Sequence, residues 1–165
     1  MADAVNSSVK VGIADMNIVK DPDTITTIGL GSCVGIAIRD TALKVGGLVH
    51  VMLPDSTIVK SNTNIAKFAD TGIPELVRQL EAKGCKRARM EAKIAGGAQM
   101  FAFQNKSELL GIGDRNVEAS KAALKKLGIP LKAEDCGANY GRTVVFYPGT
   151  GEYEIKAVGR DVKKI

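Results

Sequence analysis

The sequence predicts an α+β fold in which β-sheets pack as a sandwich with about two main helices outside. Three observations predict it. Short runs of β-branched and apolar residues, several alternating with polar ones, dominate both ends of the chain. Helical spacing is confined to two stretches between them. The glycines, 18 in 165 residues, are concentrated at element boundaries, as at Gly29/Gly31, Gly96/Gly97 and Gly137/Gly141. Few helices clustered between strand-rich ends favour helices laid on sheets over regular strand–helix alternation. The length suits a single domain over residues 1–165 with its own buried core.

Taken in order, residues 9–13 alternate like a half-buried strand and residues 24–28 form a β-branched run, with Asp21-Pro22-Asp23 as the turn between them. After Gly29-Leu30-Gly31-Ser32, residues 33–39 and 45–53 read as a hairpin broken at Asp40-Thr41 and ending at Pro54. Residues 62–83 carry helical spacing through Ile73, Leu76, Val77 and Leu80, with Gly84 as the C-terminal cap. Pro74 allows two arrangements: a first-turn position with Asp70 or Thr71 as cap, or a kink in a helix starting near Asn64. Residues 87–95 return to a strand pattern closed by Gly96-Gly97. A second helix over 116–127 places Val117, Ala119, Ala123, Leu124 and Leu127 on its apolar side and ends at Gly128. Three further strands follow, at 131–135, 143–147 and 153–158.

Composition removes several function classes. No stretch reaches the roughly 18–20 apolar residues of a membrane-spanning helix, and Met1 to Lys10 lacks a secretory pattern, so the chain is expected in the cytoplasm. Three cysteines and one histidine make neither a disulfide framework nor a closed zinc site, and no metal or cofactor is expected. The net charge of +5 is spread along the chain and aromatics are only 4%, which argues against nucleic acid. Gly29-x-Gly31 is too short for a dinucleotide fingerprint.

The hairpin carries the chemistry. If its loop centres between Thr41 and Ala42, Arg39 faces Lys44, Gly35 faces Leu48, and Cys33 falls directly opposite His50, the single histidine. Directly opposed residues share a face with Cβ atoms about 4.5–5.5 Å apart, and a one-residue slip would separate them. A thiol beside an imidazole is the pairing of a cysteine nucleophile with its general base, since the neighbour stabilises thiolate and returns the proton to a leaving group. The glycine-spaced loop before Cys33, with Gly31 and Ser32, offers backbone amides as an oxyanion hole. Thr27 is a candidate to orient the imidazole, provided its strand pairs with 45–53. Each residue type also has an ordinary structural use, as small hydrophobe, core histidine or strand former. Cys85 and Cys136 lack an activating neighbour and are read as structural.

The block Thr27-Ile28-Gly29-Leu30-Gly31-Ser32-Cys33-Val34, followed by Gly46-Gly47-Leu48-Val49-His50-Val51-Met52-Leu53-Pro54, resembles the CheD family of chemoreceptor glutamine deamidases. Lys93-Ile94-Ala95-Gly96-Gly97-Ala98-Gln99-Met100-Phe101, Ile112-Gly113-Asp114-Arg115-Asn116-Val117 and Glu134-Asp135-Cys136-Gly137-Ala138-Asn139 with Gly141-Arg142 resemble it too. The resemblance implies a fold similar to the cytotoxic necrotizing factor deamidases. It implies a cysteine amidohydrolase that converts receptor glutamines to glutamates, releasing ammonia through a thioester, and that also hydrolyses glutamyl methyl esters. It carries the nucleophile to Cys33, the base and acid to His50, and the third member to Thr27. The partners it implies are the cytoplasmic helices of chemotaxis receptors, at their arrays, and the CheC phosphatase; oligomeric state is not readable from the residues, and a monomer is the default expectation. Met100, Phe101 and Phe103 are either an apolar docking patch or core packing. Two other roles stay open: mainly a binding regulator of CheC, or a Cys/His enzyme acting on a small amide.

Overall fold

The protein is described here from a computed structural model covering residues 7–60, 63–100 and 111–165. Its strand-forming runs become β1 (Ser8–Val11), β2 (Met16–Lys20), β3 (Thr24–Leu30), β4 (Val34–Asp40) and β5 (Val45–Val51). Helix α1 (Ala69–Ala82), β6 (Met90–Gly96) and helix α2 (Ile112–Leu127) follow. Then come β7 (Leu131–Cys136), β8 (Arg142–Phe146), β9 (Tyr153–Lys156) and β10 (Lys163–Lys164). Two five-stranded sheets result, one in the order β1-β3-β8-β9-β10 and the other β2-β5-β4-β6-β7.

Burial along the strands shows how the sheets are stacked. β8 and β9 alternate between buried and partly exposed positions, as strands of a sheet with one wet face do. β5 is buried at every position and β4 at all but Arg39, which requires cover on both faces. On one side Leu48 and Ala37 meet Ile25, Leu30, Val144, Phe146 and Tyr153 of the first sheet. On the other, Ile36, Val49 and Val51 pack against Ile73, Leu76, Val77 and Leu80 of α1. The order is therefore sheet, sheet, helices. Gly46 and Gly47 let both neighbours approach β5: a Cβ on Gly46 would lie 2.9 Å from the Phe146 ring, and one on Gly47 would lie 2.6 Å from Leu76.

Several elements depart from the sequence expectation. β2 was not expected, because its five residues bury only Val19. The turn at Asp21-Pro22-Asp23 consequently joins β2 to β3, while β1 and β3 are parallel neighbours. β10 is two lysines held by pairing with β9, with no apolar pattern to announce it. Neither Asp70 nor Thr71 caps α1. The cap is Phe68; Asp70 accepts hydrogen bonds from Ser56, and Thr71 donates to the Ile65 carbonyl. A 3-10 turn at Ile65–Lys67 replaces the earlier helix, and Pro74 lies within α1. α2 begins a turn before the expected 116, and its buried stripe is Gly113, Asn116, Ser120 and Leu124, with Val117, Ala119, Ala123 and Leu127 only partly buried.

The hairpin register also differs. Asp40 pairs with Val45, so the loop centres between Ala42 and Leu43, and the residue directly opposite His50 is Gly35 rather than Cys33. The cause is Asp40, which ends the strand instead of starting the loop. Its carboxylate accepts from the Ala42, Leu43 and Lys86 backbone amides and from the Arg89 guanidinium. Burial would raise this carboxyl, but those donors hold it well below the usual range. The difference is two residues, so the face parity survives.

Removing one partner of a buried, multiply bonded charge leaves Arg89 and three amides without their acceptor. Asp40→Ala is expected to lower the unfolding free energy by about 3 kcal/mol, seen as a reduced urea midpoint at unchanged slope. A loss below 0.5 kcal/mol, in the range of an ordinary surface change, would show that this network does not hold the hairpin.

Candidate active site

His50 is the last-but-one residue of β5, fully buried, and its backbone is fixed on both sides by the β1–β2 connection: its N–H donates to Asp15 O at 3.0 Å and its carbonyl accepts from Ala14 N at 3.0 Å. Its ring points at the first sheet. There Thr27 of β3, also buried, places Oγ1 2.7 Å from His50 Nδ1. The sequence expectation required β3 and β5 to pair edge to edge. Instead β5 lies between β2 and β4, β3 lies between β1 and β8, and the contact is made across the sandwich, face to face.

That contact settles where the imidazole proton sits. A threonine hydroxyl has one proton, and Thr27 Oγ1 donates it to Val11 O at 2.7 Å. Toward His50 the oxygen can then only accept, so Nδ1 carries the hydrogen and Nε2 presents a bare lone pair. Nε2 is buried and has no hydrogen-bond partner among the described residues. Burial lowers the His50 pKa to about 4, so the ring is neutral across the physiological range.

Cys33 lies one residue before β4, half-buried at the edge of the core between the sheets, on the loop that leaves β3. A bulge at Ile28–Gly29, where Gly29 has φ +80°, turns the chain into this loop. No hydrogen bond joins Cys33 Sγ to His50 Nε2 in this structure. Burial raises the thiol pKa, with the residue's own backbone N–H pulling the other way. Thiol and imidazole thus both favour their neutral forms, in contrast to the stabilised thiolate that the sequence suggests. A bare imidazole nitrogen can take a thiol proton as sulfur attacks, without a resting ion pair.

The loop from Gly31 to Cys33 is held by its carbonyls. Gly31 O accepts from Ala98 N at 2.8 Å, Cys33 O from Gly97 N at 2.8 Å, and Ser32 O from Asn116 Nδ2 at 2.9 Å. The Ser32 and Cys33 N–H groups donate to no other residue among those described. Because a trans peptide sets C=O and N–H in opposite directions, tethered carbonyls leave these two amides facing away from their anchors, where they can serve an anionic oxygen. A Cβ on Gly113 would lie 2.5 Å from Ala98 O and 2.6 Å from Gly97 O. This shows how closely α2 rests on the anchoring strip.

Asn116 is the residue that sequence reasoning missed. It is fully buried in α2, and its Nδ2 donates both to Ser32 O, beside Cys33, and to Met52 O, two residues past His50, each at 2.9 Å. A polar residue on the inner stripe of a helix is the available signal, but the sequence reading gave 116 as a helix start within a family-like block and assigned it no role at the site. Met100 is 43% exposed and lies over Gly31, its Cγ 3.2 Å from where a Cβ there would be. Phe101 and Phe103 lie outside the described residues. Ile13 and Ile28, each 58% exposed, line a hollow of about 230 Å³ beside Thr27. Cys85 is buried, and burial first, with Glu134 nearby, pushes the Cys136 thiol up to about 12, so neither is activated.

A family model described as CheD chemotactic sensory transduction matches residues 52–157. A probable chemoreceptor glutamine deamidase CheD from Lachnoclostridium phytofermentans is 60% identical over 157 residues, covering 95% of this chain and 98% of that protein. The protein of the same description from Caldanaerobacter subterraneus subsp. tengcongensis is 51% identical, covering 95% and 97%. Among solved structures, the Bacillus licheniformis hypothetical protein YfiH aligns with a TM-score of 0.48 and 14% identity, over 76% of this chain and about half of that protein, 51%.

The imidazole state is directly measurable. Nitrogen-15 NMR of labelled histidine is expected to show Nδ1–H and bare Nε2 at neutral pH, protonating near pH 4. The unfolded ring protonates near 6.5, so the folded state binds fewer protons between these values. His50 therefore favours folding above pH 6.5, and that contribution is lost as pH falls toward 4. A midpoint near 6.5 in the folded protein would contradict this account.

Proposed function

The chain belongs to the CheD family, and from that premise we propose that it deamidates glutamine side chains on the cytoplasmic helices of chemotaxis receptors, with Cys33 as nucleophile, His50 as base and acid, and Thr27 as the residue that orients the ring. The observation that carries this reading is the Thr27–His50 contact, which leaves a neutral imidazole with a bare, buried and unpartnered Nε2.

In this reading His50 Nε2 takes the Cys33 proton as Sγ attacks the carboxamide carbon of the substrate glutamine. The carbonyl π bond opens, and the resulting oxyanion is met by the Ser32 and Cys33 amides. The intermediate collapses with cleavage of the C–N bond; Nε2–H protonates the departing nitrogen, ammonia leaves, and a thioester remains. Water then gives a proton to Nε2 and attacks the thioester, and the Cys33 sulfur leaves with that proton, yielding glutamate. The same thioester would form from a glutamyl methyl ester, with methanol as leaving group. The Cys33 thiol and the bare imidazole nitrogen must meet in the complex; hydrogen bonds between catalytic groups commonly tighten only when substrate is bound. The exposed Ile13, Ile28 and Met100 supply apolar surface for a helix carrying the target glutamine. Binding of the CheC phosphatase belongs to the same reading and is separable from chemistry, since it needs no thiol.

Incubation with a receptor cytoplasmic fragment, followed by mass spectrometry, should show conversion of specific glutamines to glutamate by the wild type and none by Cys33→Ala. Ammonia release by Cys33→Ala at the wild-type rate would end the reading. Because His50 protonates near pH 4, kcat/KM is expected to stay level below pH 6.5 and to decline only as pH approaches 4. A fall centred near 6.5 would mean that a different or differently placed base operates.

A further inference from the structure

Asn116 joins two segments that the sequence keeps apart. Its single amide group holds the carbonyl just before Cys33 and a carbonyl just after His50, each at 2.9 Å. Two carbonyl acceptors oblige the carboxamide to present its nitrogen to both, so its orientation is determined. Its Oδ1 is left buried without a partner among the described residues. A buried amide that satisfies neighbours while leaving its own acceptor unpaired is a costly choice for packing alone. The surroundings are built to admit it: the inner stripe of α2 is otherwise Gly113, Ser120 and Leu124, and the Ser120 hydroxyl donates to Asn116 O at 2.7 Å, which ties residue 120 to this turn.

The consequence follows from peptide geometry. Ser32 C=O and Cys33 N–H belong to one planar unit and point in opposite directions. Whatever holds that carbonyl aims that N–H. The neighbouring peptide is held likewise, through Gly31 O to Ala98 N. We infer that Asn116 is a positioning residue for acyl transfer: by anchoring Ser32 C=O it directs the Cys33 amide, next to the sulfur, toward the oxygen that becomes negative, and by anchoring Met52 C=O it keeps the end of β5 in step with the loop. This rests on the acyl-transfer reading above. It adds a residue that acts through the Ser32 and Met52 carbonyls, with no hydrogen bond to the sulfur.

Two reactions of the same thiol separate this role from a structural one. Alkylation of Cys33 by iodoacetamide is a displacement at carbon that develops no oxyanion, whereas acylation by p-nitrophenyl acetate passes through one. Both need the same proton removed. In the full-length protein, Asn116→Ala and the smaller change Asn116→Ser, which keeps one donor, are compared with wild type in both reactions. Removing an oxyanion donor outright typically costs about 10²- to 10³-fold, and misaiming one should cost less.

The expected result is an acylation rate lowered about 10- to 100-fold in Asn116→Ala, with the alkylation rate of the folded fraction changed less than about threefold. Asn116→Ser should fall between Asn116→Ala and wild type. On a receptor fragment the loss should lie in kcat rather than KM. If both reactions slow by the same factor in both variants, or neither slows, the positioning role is overturned while the deamidase reading stands. If Asn116→Ala does not fold, Asn116→Ser decides by the same ratio. Wild-type protein acylated equally well with Cys33→Ala would overturn both.

Discussion

The site depends on two sheets meeting face to face closely enough for a hydroxyl from one to bond an imidazole from the other. Thr27 is held within its own sheet by donating to Val11 O, and that commitment makes it an acceptor toward His50. A hydroxyl with a free proton would leave the ring tautomer undetermined. The 2.7 Å separation thus depends on the inter-sheet core: Leu30, Leu48, Phe146 and Tyr153 set the spacing, and Tyr153 Oη donates to Gly35 O, directly across β4–β5 from His50. Altering that core would change the chemistry of His50 without touching it.

A second consequence of close packing is that the loop carrying Cys33 is rigid from behind. Gly96, Gly97, Ala98 and Gly113 are small because two backbones and a helix pass within contact distance of each other. A side chain on Gly96 would overlap the Cys33 carbonyl, and one on Gly97 would overlap Val117 and the Gly113 carbonyl. Blocks of sequence far apart in the chain therefore serve one local purpose. They bind the carbonyl side of the Gly31–Cys33 loop and leave the Ser32 and Cys33 amides unengaged among the described residues. Preorganised donors of this kind need no rearrangement when charge develops.

Burial decides the electrostatics. It lowers His50, raises Cys33 and leaves both neutral at rest, so the proposed mechanism makes its reactive state during attack. A half-buried neutral thiol is less exposed to adventitious oxidation than a standing thiolate. The same burial is harmless at Asp40 because four donors surround its carboxylate, while Cys136 is silenced by it. Burial thus has different outcomes, set by what each group finds around it.

Much of this was legible in the residues themselves. β-branched runs located most strands, the 73/76/77/80 spacing located α1, and Gly128 marked the end of α2, because these signals are local and periodic. Cys33 with its glycine loop, and His50 on the returning strand, stood out because few residue types perform such chemistry. The hairpin register was missed by two residues, because Asp40 draws its partner Arg89 from a distant segment. β2 and β10 were missed because they have too little apolar pattern and are held by pairing with neighbours. Asn116 was missed because a buried amide has no periodic signature; its value lies in two carbonyls from elsewhere in the chain. What the sequence determined alone were the candidate residue types and most of the elements that carry them, since both depend on near neighbours. The tertiary structure decided which face meets which, where the histidine proton sits and what anchors the loop carbonyls, since each requires groups that only packing brings within hydrogen-bond distance.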